Sequence, residues 1–220
     1  MRISSTFISG AVAAVAVAGS ANASLVFDDF QTGVNTGVTT SGSQIKFVSS
    51  PSWSTPNPVW WGLSGSRVAA VNGYSATAAT SAVVGSGVAT LQAGQAGGFN
   101  SQLGYYGTGA NLTGYVFTLN VSATTGSNAK LVFSLTNAAG TSQIESALNG
   151  TGTYIFSVSS FGGGYNATSI TALAFGLVTL DGGSGGASVT FDSFTYAVPA
   201  PGALALLGVA GIVGARRRRA

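Results

Sequence analysis

The stretch GYVFTLNVSATTGSNAKLVFSLTNA, residues 114–138, decides the fold class. In its first half Tyr115, Phe117, Leu119 and Val121 fall on one side, separated by Val116, Thr118 and Asn120. Its second half repeats the pattern with Leu131, Phe133 and Leu135. Successive side chains of a strand point to opposite faces, so this period of two describes strands with one buried face. Aromatic and β-branched residues fit that pleated surface. Thr-Gly-Ser-Asn at 125–128 reads as the turn between them.

The same signature recurs outward from this stretch. Tyr154, Phe156 and Val158 alternate, as do Leu173, Phe175 and Leu177, and SVTFDSFTY at 188–196 ends the series. Turn signals fall at 139–141, 149–152 and 182–186. Strands at this spacing, with no long helical pattern, predict an all-β chain: an antiparallel β-sandwich or barrel over residues 24–197. Residues 75–98 are small and bland, and one weak strand is expected among them.

Composition limits the chemistry. Charged residues make up 6% of the 220, against about 25% in ordinary domains. The chain is 45% hydrophobic and has no Cys and no His. It therefore has material for a core, no disulfide, and neither the commonest general base nor the commonest zinc ligand. The formal charge of +3 comes from the ends, where Arg2 and Arg216 to Arg219 sit. Between the ends, Lys46, Arg67 and Lys130 face Asp28, Asp29, Glu145, Asp181 and Asp192, so the body is slightly acidic and nucleic acid is not an expected partner.

Both ends carry targeting patterns. Arg2, an apolar run from Gly10 to Gly19, and Ala21-Asn22-Ala23 have the order of a secretory signal peptide, residues 1–23. At the other end, residues 202–215 hold no charge, and Arg216, Arg217, Arg218 and Arg219 follow. As a helix this run reaches only about 21 Å, short of a hydrocarbon core of about 30 Å. The arginines should stay cytoplasmic and leave the body on the outer side.

Val198-Pro199-x-Pro201, an apolar segment with Leu206-Leu207-Gly208, and the arginine cluster together resemble a PEP-CTERM sorting signal over residues 198–220. That resemblance implies transient anchoring in the inner membrane. An exosortase-type enzyme would then cut near Pro199 and Pro201 and deliver the body to the cell surface or extracellular matrix. Ala200 departs from the family's usual Glu.

The body opens on Phe27-Asp28-Asp29-Phe30 and nearly closes on Phe191-Asp192-Ser193-Phe194, with GSRVAAVNG at 65–73 between. This order resembles the jelly-roll, galactose-binding-like domains of carbohydrate-binding modules. If the two FD-x-F strands are neighbours, Asp28, Asp29 and Asp192 approach one another. Carboxylate oxygens suit Ca²⁺, and the resemblance implies a structural calcium there. The alternative is that these side chains face solvent or bond turn amides.

Trp53, Trp60 and Trp61 lie within PSWSTPNPVWWG, stiffened by three prolines. Such rings can stack on sugar faces, or can serve core and loop packing. The sequence thus points to a non-enzymatic exported protein with extracellular polysaccharide or other matrix material as its partner. The rivals are a matrix protein without a specific ligand and a glycosidase using Glu145 and an Asp, although nothing in the sequence places Glu145 in a cleft. Gly182-Gly183-Ser184-Gly185-Gly186 matches a hydrolase elbow by spacing, but no His accompanies it. The Asn-x-Ser/Thr triplets at Asn111, Asn120, Asn149 and Asn166 reflect composition.

Overall fold

The computed structural model describes residues 24–33, 35–40, 44–50, 66–73, 80–94, 100–126, 128–162, 165–179 and 186–197. The expected signal segment, Trp53, Trp60 and Trp61, and the sorting residues Val198, Pro199, Pro201 and Arg216 to Arg219 lie outside them. Among the described residues no helix is long and apolar enough to cross a membrane.

The strands are β1 (Ser24–Asp28), β2 (Asn35–Thr40), β3 (Gln44–Ser50), β4 (Ser66–Gly73), β5 (Thr80–Gly85), β6 (Val88–Ala93), β7 (Asn100–Ala110), β8 (Val116–Thr125), β9 (Ala129–Asn137), β10 (Gly140–Ala147), β11 (Gly152–Ser157), β12 (Ile170–Thr179) and β13 (Ala187–Ala197). They form two antiparallel sheets. One runs β11-β8-β13-β6-β5-β2, with β1 also on β13; the other runs β10-β9-β12-β7-β4-β3. The long β13 serves two partners along one flank, pairing β6 through residues 187–191 and β1 through 194–197.

The alternating residues read from the sequence form the core between the sheets. Phe117, Leu119, Val121, Leu131, Phe133, Leu135, Leu173, Phe175 and Leu177 are all buried. Aromatic pairs bridge the two layers: Phe117 of β8 lies 5.0 Å from Phe133 of β9, and Phe175 of β12 lies 5.1 Å from Phe191 of β13. Each such pair adds about 0.5–1.5 kcal/mol beyond its buried area. The turn after β8 does not fold β9 back onto it; the chain changes sheets there. Gly126 makes the crossing possible, since its φ is +81° and a Cβ would strike the backbone of Gly186 and Ala187.

The bland stretch 75–98 holds two strands rather than the one expected. β5 and β6 form a hairpin, with Ser86 (φ 55°) and Gly87 (φ 79°) at its tip. Two successive positive φ values are what a tight hairpin turn requires. Ala82, Val84, Ala89, Leu91 and Ala93 alternate inward, so small side chains carry the pattern that large ones carry elsewhere. The tip docks on the FDDF segment: the Gly87 N–H donates to the Phe30 carbonyl at 3.2 Å.

Two bulges shape the FD-x-F strands. The register of β1 against β13 shifts between Val26 and Asp28, and both Phe27 and Asp28 turn inward. The register of β13 against β8 shifts between Phe191 and Ser193, so Phe191 and Phe194 are both buried while Asp192 is left outside. An extra residue reverses the facing of everything after it.

Asp28 consequently lies in the core with Arg67 of β4, and both are fully buried. The Arg67 Nη1 donates to Asp28 Oδ2 at 2.7 Å, and the Tyr105 hydroxyl of β7 donates to the same oxygen at 2.9 Å. The Phe30 N–H donates to Asp28 Oδ1 at 2.8 Å. Arg67 Nη2 donates to the carbonyls of Thr32, at 2.9 Å, and Gly33. Burial pushes the Asp28 carboxyl above its ordinary range, opposed first by the Arg67 charge. Burial, and then the Asp28 charge, hold the Tyr105 phenol well above its usual value, so it remains a donor.

Removing one member of a buried pair strands the other charge. Arg67→Met is expected to lower stability in urea unfolding by about 3–5 kcal/mol. Adding Asp28→Leu should restore part of that loss, because two coupled groups do not contribute additively. A double variant as unstable as the sum of the singles would refute the coupling.

Candidate functional site

The outer face of the β10-β9-β12-β7-β4-β3 sheet carries a trough of about 530 Å³. Its origin is visible in β12. The inward residues of ITALAFGLVT are large, while the outward set lining the trough is Ala172, Ala174, Gly176 and Val178. Same-face residues of a strand stand about 6.7 Å apart, so this low floor runs for about 20 Å along β12. Taller side chains stand on each side. Gln102 and Tyr106 rise from β7; Gln143 and Glu145 rise from β10, with Ser134 and Thr136 of β9 below them.

Register sets these walls. Gly176 pairs with Gln102 on one side and with Val132 on the other, and Val132 pairs with Glu145. Ala174 pairs with Gly104 and Ser134, and Ser134 pairs with Gln143. A Cβ on Gly176 would meet the Gln102 Cβ at 3.0 Å and the Ser101 carbonyl at 3.1 Å, so the floor is cut as low as this backbone allows. A Cβ on Gly104 would touch the Tyr106 ring from 3.4 Å, placing the ring's hydroxyl-bearing edge over that glycine. Tyr106 remains 46% exposed. Phe47 of β3, 64% exposed, pairs with Ala70, which pairs with Gln102, so it stands on the same face outside the trough.

Glu145 is the one charged residue among the described residues lining the trough. Its Oε2 accepts from the Lys130 Nζ at 2.7 Å and its Oε1 from the Gln143 Nε2 at 3.4 Å. Thr136 and Thr141 share a hydroxyl hydrogen bond of 2.8 Å across β9 and β10. The surface therefore offers amides, hydroxyls, one exposed aromatic ring and an already neutralised carboxylate. That is the chemistry of a site for an uncharged, hydroxyl-rich ligand with apolar patches.

The three aspartates do not gather; Asp28 and Asp29 bond turn amides and Asp192 faces solvent, the alternative raised by the sequence. The two FD-x-F strands are indeed neighbours, but the bulges send their carboxylates apart. Asp28 is buried on Arg67; Asp29 accepts the Gln31 N–H at 3.0 Å; Asp192 is exposed and accepts from the Ser193 hydroxyl at 3.2 Å. Among the described residues no three metal-ligating acids, His or Cys gather. A guanidinium already stands where a cation would sit beside Asp28, so these residues do not fit a calcium site. Sequence reasoning singled out Asp28 and passed over Arg67 and Tyr105. It weighed Glu145 without a cleft, and the structure puts Glu145 in the trough wall. The triplets at Asn111 and Asn166 are turn formers, each side-chain oxygen accepting the N–H two residues on.

Neither a protein-family model nor a curated protein matches the chain. Solved structures of related shape do. A family 11 carbohydrate-binding module from Clostridium thermocellum, in complex with a β-1,3-1,4-mixed-linked tetrasaccharide, aligns at 13% identity and a TM-score of 0.37 over 78% of this chain and 94% of that one. The family 11 module of a cellulosomal cellulase from the same organism aligns at 13% identity and 0.37, over 81% and 97%. A family 28 module specific for non-crystalline cellulose aligns at 13% and 0.27, over 50% and 75%. Likeness at this level assigns neither family nor ligand; the trough has to be judged on its own residues.

Because Asp28 is already neutralised, addition of calcium or of a chelator is expected to leave the melting temperature unchanged. A calcium-dependent rise would place a metal at carboxylates other than Asp28.

Proposed function

We propose that the sandwich binds an uncharged polysaccharide along its trough, and that the chain's two ends deliver it outside the cytoplasm, through exosortase-type sorting, to the cell surface or matrix. The observation that carries the binding reading is the trough itself: a low, uncharged floor along β12 between two walls of amides and hydroxyls, with Tyr106 lying over Gly104. A sugar ring has an apolar face for the tyrosine and equatorial hydroxyls for Gln102, Gln143, Ser134 and Thr136. An acidic polymer would find no unpaired cation among the described residues of the wall, since Lys130 already serves Glu145. Hydrolysis of a glycoside ordinarily takes two carboxylates, and the described lining supplies one; a binding role accords with that.

The tryptophan-bearing connection 51–65 leaves β3 at Ser50 and returns at Ser66, the residue paired with Tyr106. Trp60 and Trp61 are assigned to the same ligand in this proposal.

Isothermal titration with neutral β-linked glucan oligosaccharides tests the binding. Tyr106→Ala is expected to weaken affinity by tenfold or more while the melting temperature stays within a few degrees, because the ring is half exposed. Ala174→Tyr, which fills the floor, should abolish binding, and Trp60→Ala should weaken it. Undiminished affinity in both trough variants would move the ligand elsewhere, and a lack of affinity for any glycan would end the reading.

The sorting half rests on the order of residues 1–23 and 198–220. In a host with an exosortase, the mature protein is expected outside the inner membrane with its C-terminus near Pro199 and Pro201. Recovery of the intact tail in cytosolic protein would refute it.

A further inference from the structure

Apart from β1, which pairs β13 alone and is shifted in register between Val26 and Asp28, four described strands end the two sheets, and they are not equally defended. An edge strand exposes unpaired backbone groups that invite another strand, and charges or bulges discourage this. In the trough-bearing sheet, β3 carries Lys46 and β10 carries Glu145. In the other sheet, β2 has no charge, but its register against β5 shifts between Asn35 and Val38. β11 has neither protection. Its sequence GTYIFS contains no charge and no proline, and it pairs with β8 without a shift from Gly152 to Ser157. Among the described residues it is paired on one side only. Ile155, at its centre, is 66% exposed.

We propose that β11 pairs antiparallel with β11 of a second copy of this chain, about a two-fold axis at Ile155. The segment TYIFS, residues 153–157, is chemically symmetric about that residue. In antiparallel pairing Ile155 meets Ile155 of the other copy. Tyr154 meets Phe156, and Thr153 meets Ser157. Aliphatic thus faces aliphatic, aromatic faces aromatic and hydroxyl faces hydroxyl, the cross-strand combinations that stabilise antiparallel pairs. A two-fold contact must be self-complementary, and this one is.

No charge opposes a second copy at this edge, since GTYIFS carries none, whereas β10 carries Glu145 and β3 carries Lys46. Space allows the approach as well. The symmetric register sets Gly152 opposite Val158, where the strand has ended and a 3-10 turn, Val158–Ser160, begins, and a Cβ on Gly152 would meet nothing within 4 Å. The strand's start is fixed in advance: the Tyr154 hydroxyl donates to the Gly150 carbonyl at 2.8 Å and accepts the Asn149 N–H at 2.9 Å. A six-residue edge buries less than the roughly 1,200–2,000 Å² of stable complexes, so the pairing is weak and responds to protein concentration.

The absence of cysteine makes the register directly readable. In full-length protein under mild oxidation, Ile155→Cys is expected to give a covalent dimer, because directly opposed residues lie about 4.5–5.5 Å apart at Cα, within disulfide reach. Thr153→Cys alone should not, since its own counterpart lies more than about 13 Å along the strands. A mixture of Thr153→Cys with Ser157→Cys protein should cross-link. Sedimentation supplies an independent measure: Ile155→Lys should raise the concentration needed for self-association at least tenfold, and mixing it with Ile155→Glu should restore association. Equal cross-linking by Ile155→Cys and Thr153→Cys would overturn the register. No cross-linking, or association unaffected by Ile155→Lys, would overturn the pairing itself. Ile155 is exposed, so none of these variants disturbs the core.

Discussion

A single ion pair in the core organises this molecule. Only 6% of its residues are charged, yet Asp28 and Arg67 are fully buried 2.7 Å apart. Withdrawing two charges from water costs several kcal/mol per ion, and attraction repays that only where the remaining donors and acceptors are met. Here they are met by the Tyr105 hydroxyl, the Phe30 N–H and the carbonyls of Thr32 and Gly33. The pair also spans the layers. Asp28 ends β1 of one sheet, while Arg67 and Tyr105 belong to adjacent strands of the other. Sliding by a residue would reverse the facing of the strand and take Asp28 away from all of these partners. The network fixes which edge of β1 faces inward, and hence how the chain enters the sandwich and where the β5–β6 hairpin tip comes to rest.

That fixed sandwich accounts for the trough. The space between the sheets is filled by large rings, and β12 contributes Leu173, Phe175 and Leu177 to it. Its other face carries only Ala172, Ala174, Gly176 and Val178 along the trough. A strand that is bulky inside and bare outside leaves a furrow between taller neighbours. Because register couples Gly176 to Gln102 and Ala174 to Ser134, the polar walls are held by backbone pairing rather than by loops. The site therefore inherits the rigidity of the sheet, which lowers the entropic cost of ordering side chains on a ligand.

The fold was legible where side chains are large. Phe117, Leu119 and Val121 mark β8 without ambiguity, and Leu131, Phe133 and Leu135 mark β9. It was poorly legible at β5 and β6, where alanine and valine make the same alternation in a stretch whose serines, threonines and glycines also suit loops. The bulges could not be read at all. Phe27-Asp28 and Phe191-Asp192 are alike as strings, yet one aspartate is buried and the other exposed, because an extra residue sits at different points of the two strands. Arg67 offered a signal that went unused: a lone cation in the apolar run VAAV has to be paired if that strand is buried. The trough offered one too. In ITALAFGLVT the large residues announce the core, and the bareness of the alternate positions announces the furrow, but only when both faces of a strand are considered.

Scarcity of charge links the remaining features. In an ordinary domain, lysines and glutamates cover outer faces and guard strand edges. Here four described charges lie on the trough-bearing sheet: Glu145 and Lys130 engaged with each other, Arg67 buried on Asp28, and Lys46 on β3. The same economy that leaves the trough a single charge, already paired, strips β11 of protection. A sequence this poor in charge lacks the usual means of keeping copies apart. Bulges can take over that task, as in β2, without altering the chemistry of the surface. β11 keeps a regular ladder and an exposed isoleucine instead, and residues 153–157 are symmetric about it in chemical class. An edge that merely lacked protection would have no reason for that symmetry, whereas an edge that meets itself requires it.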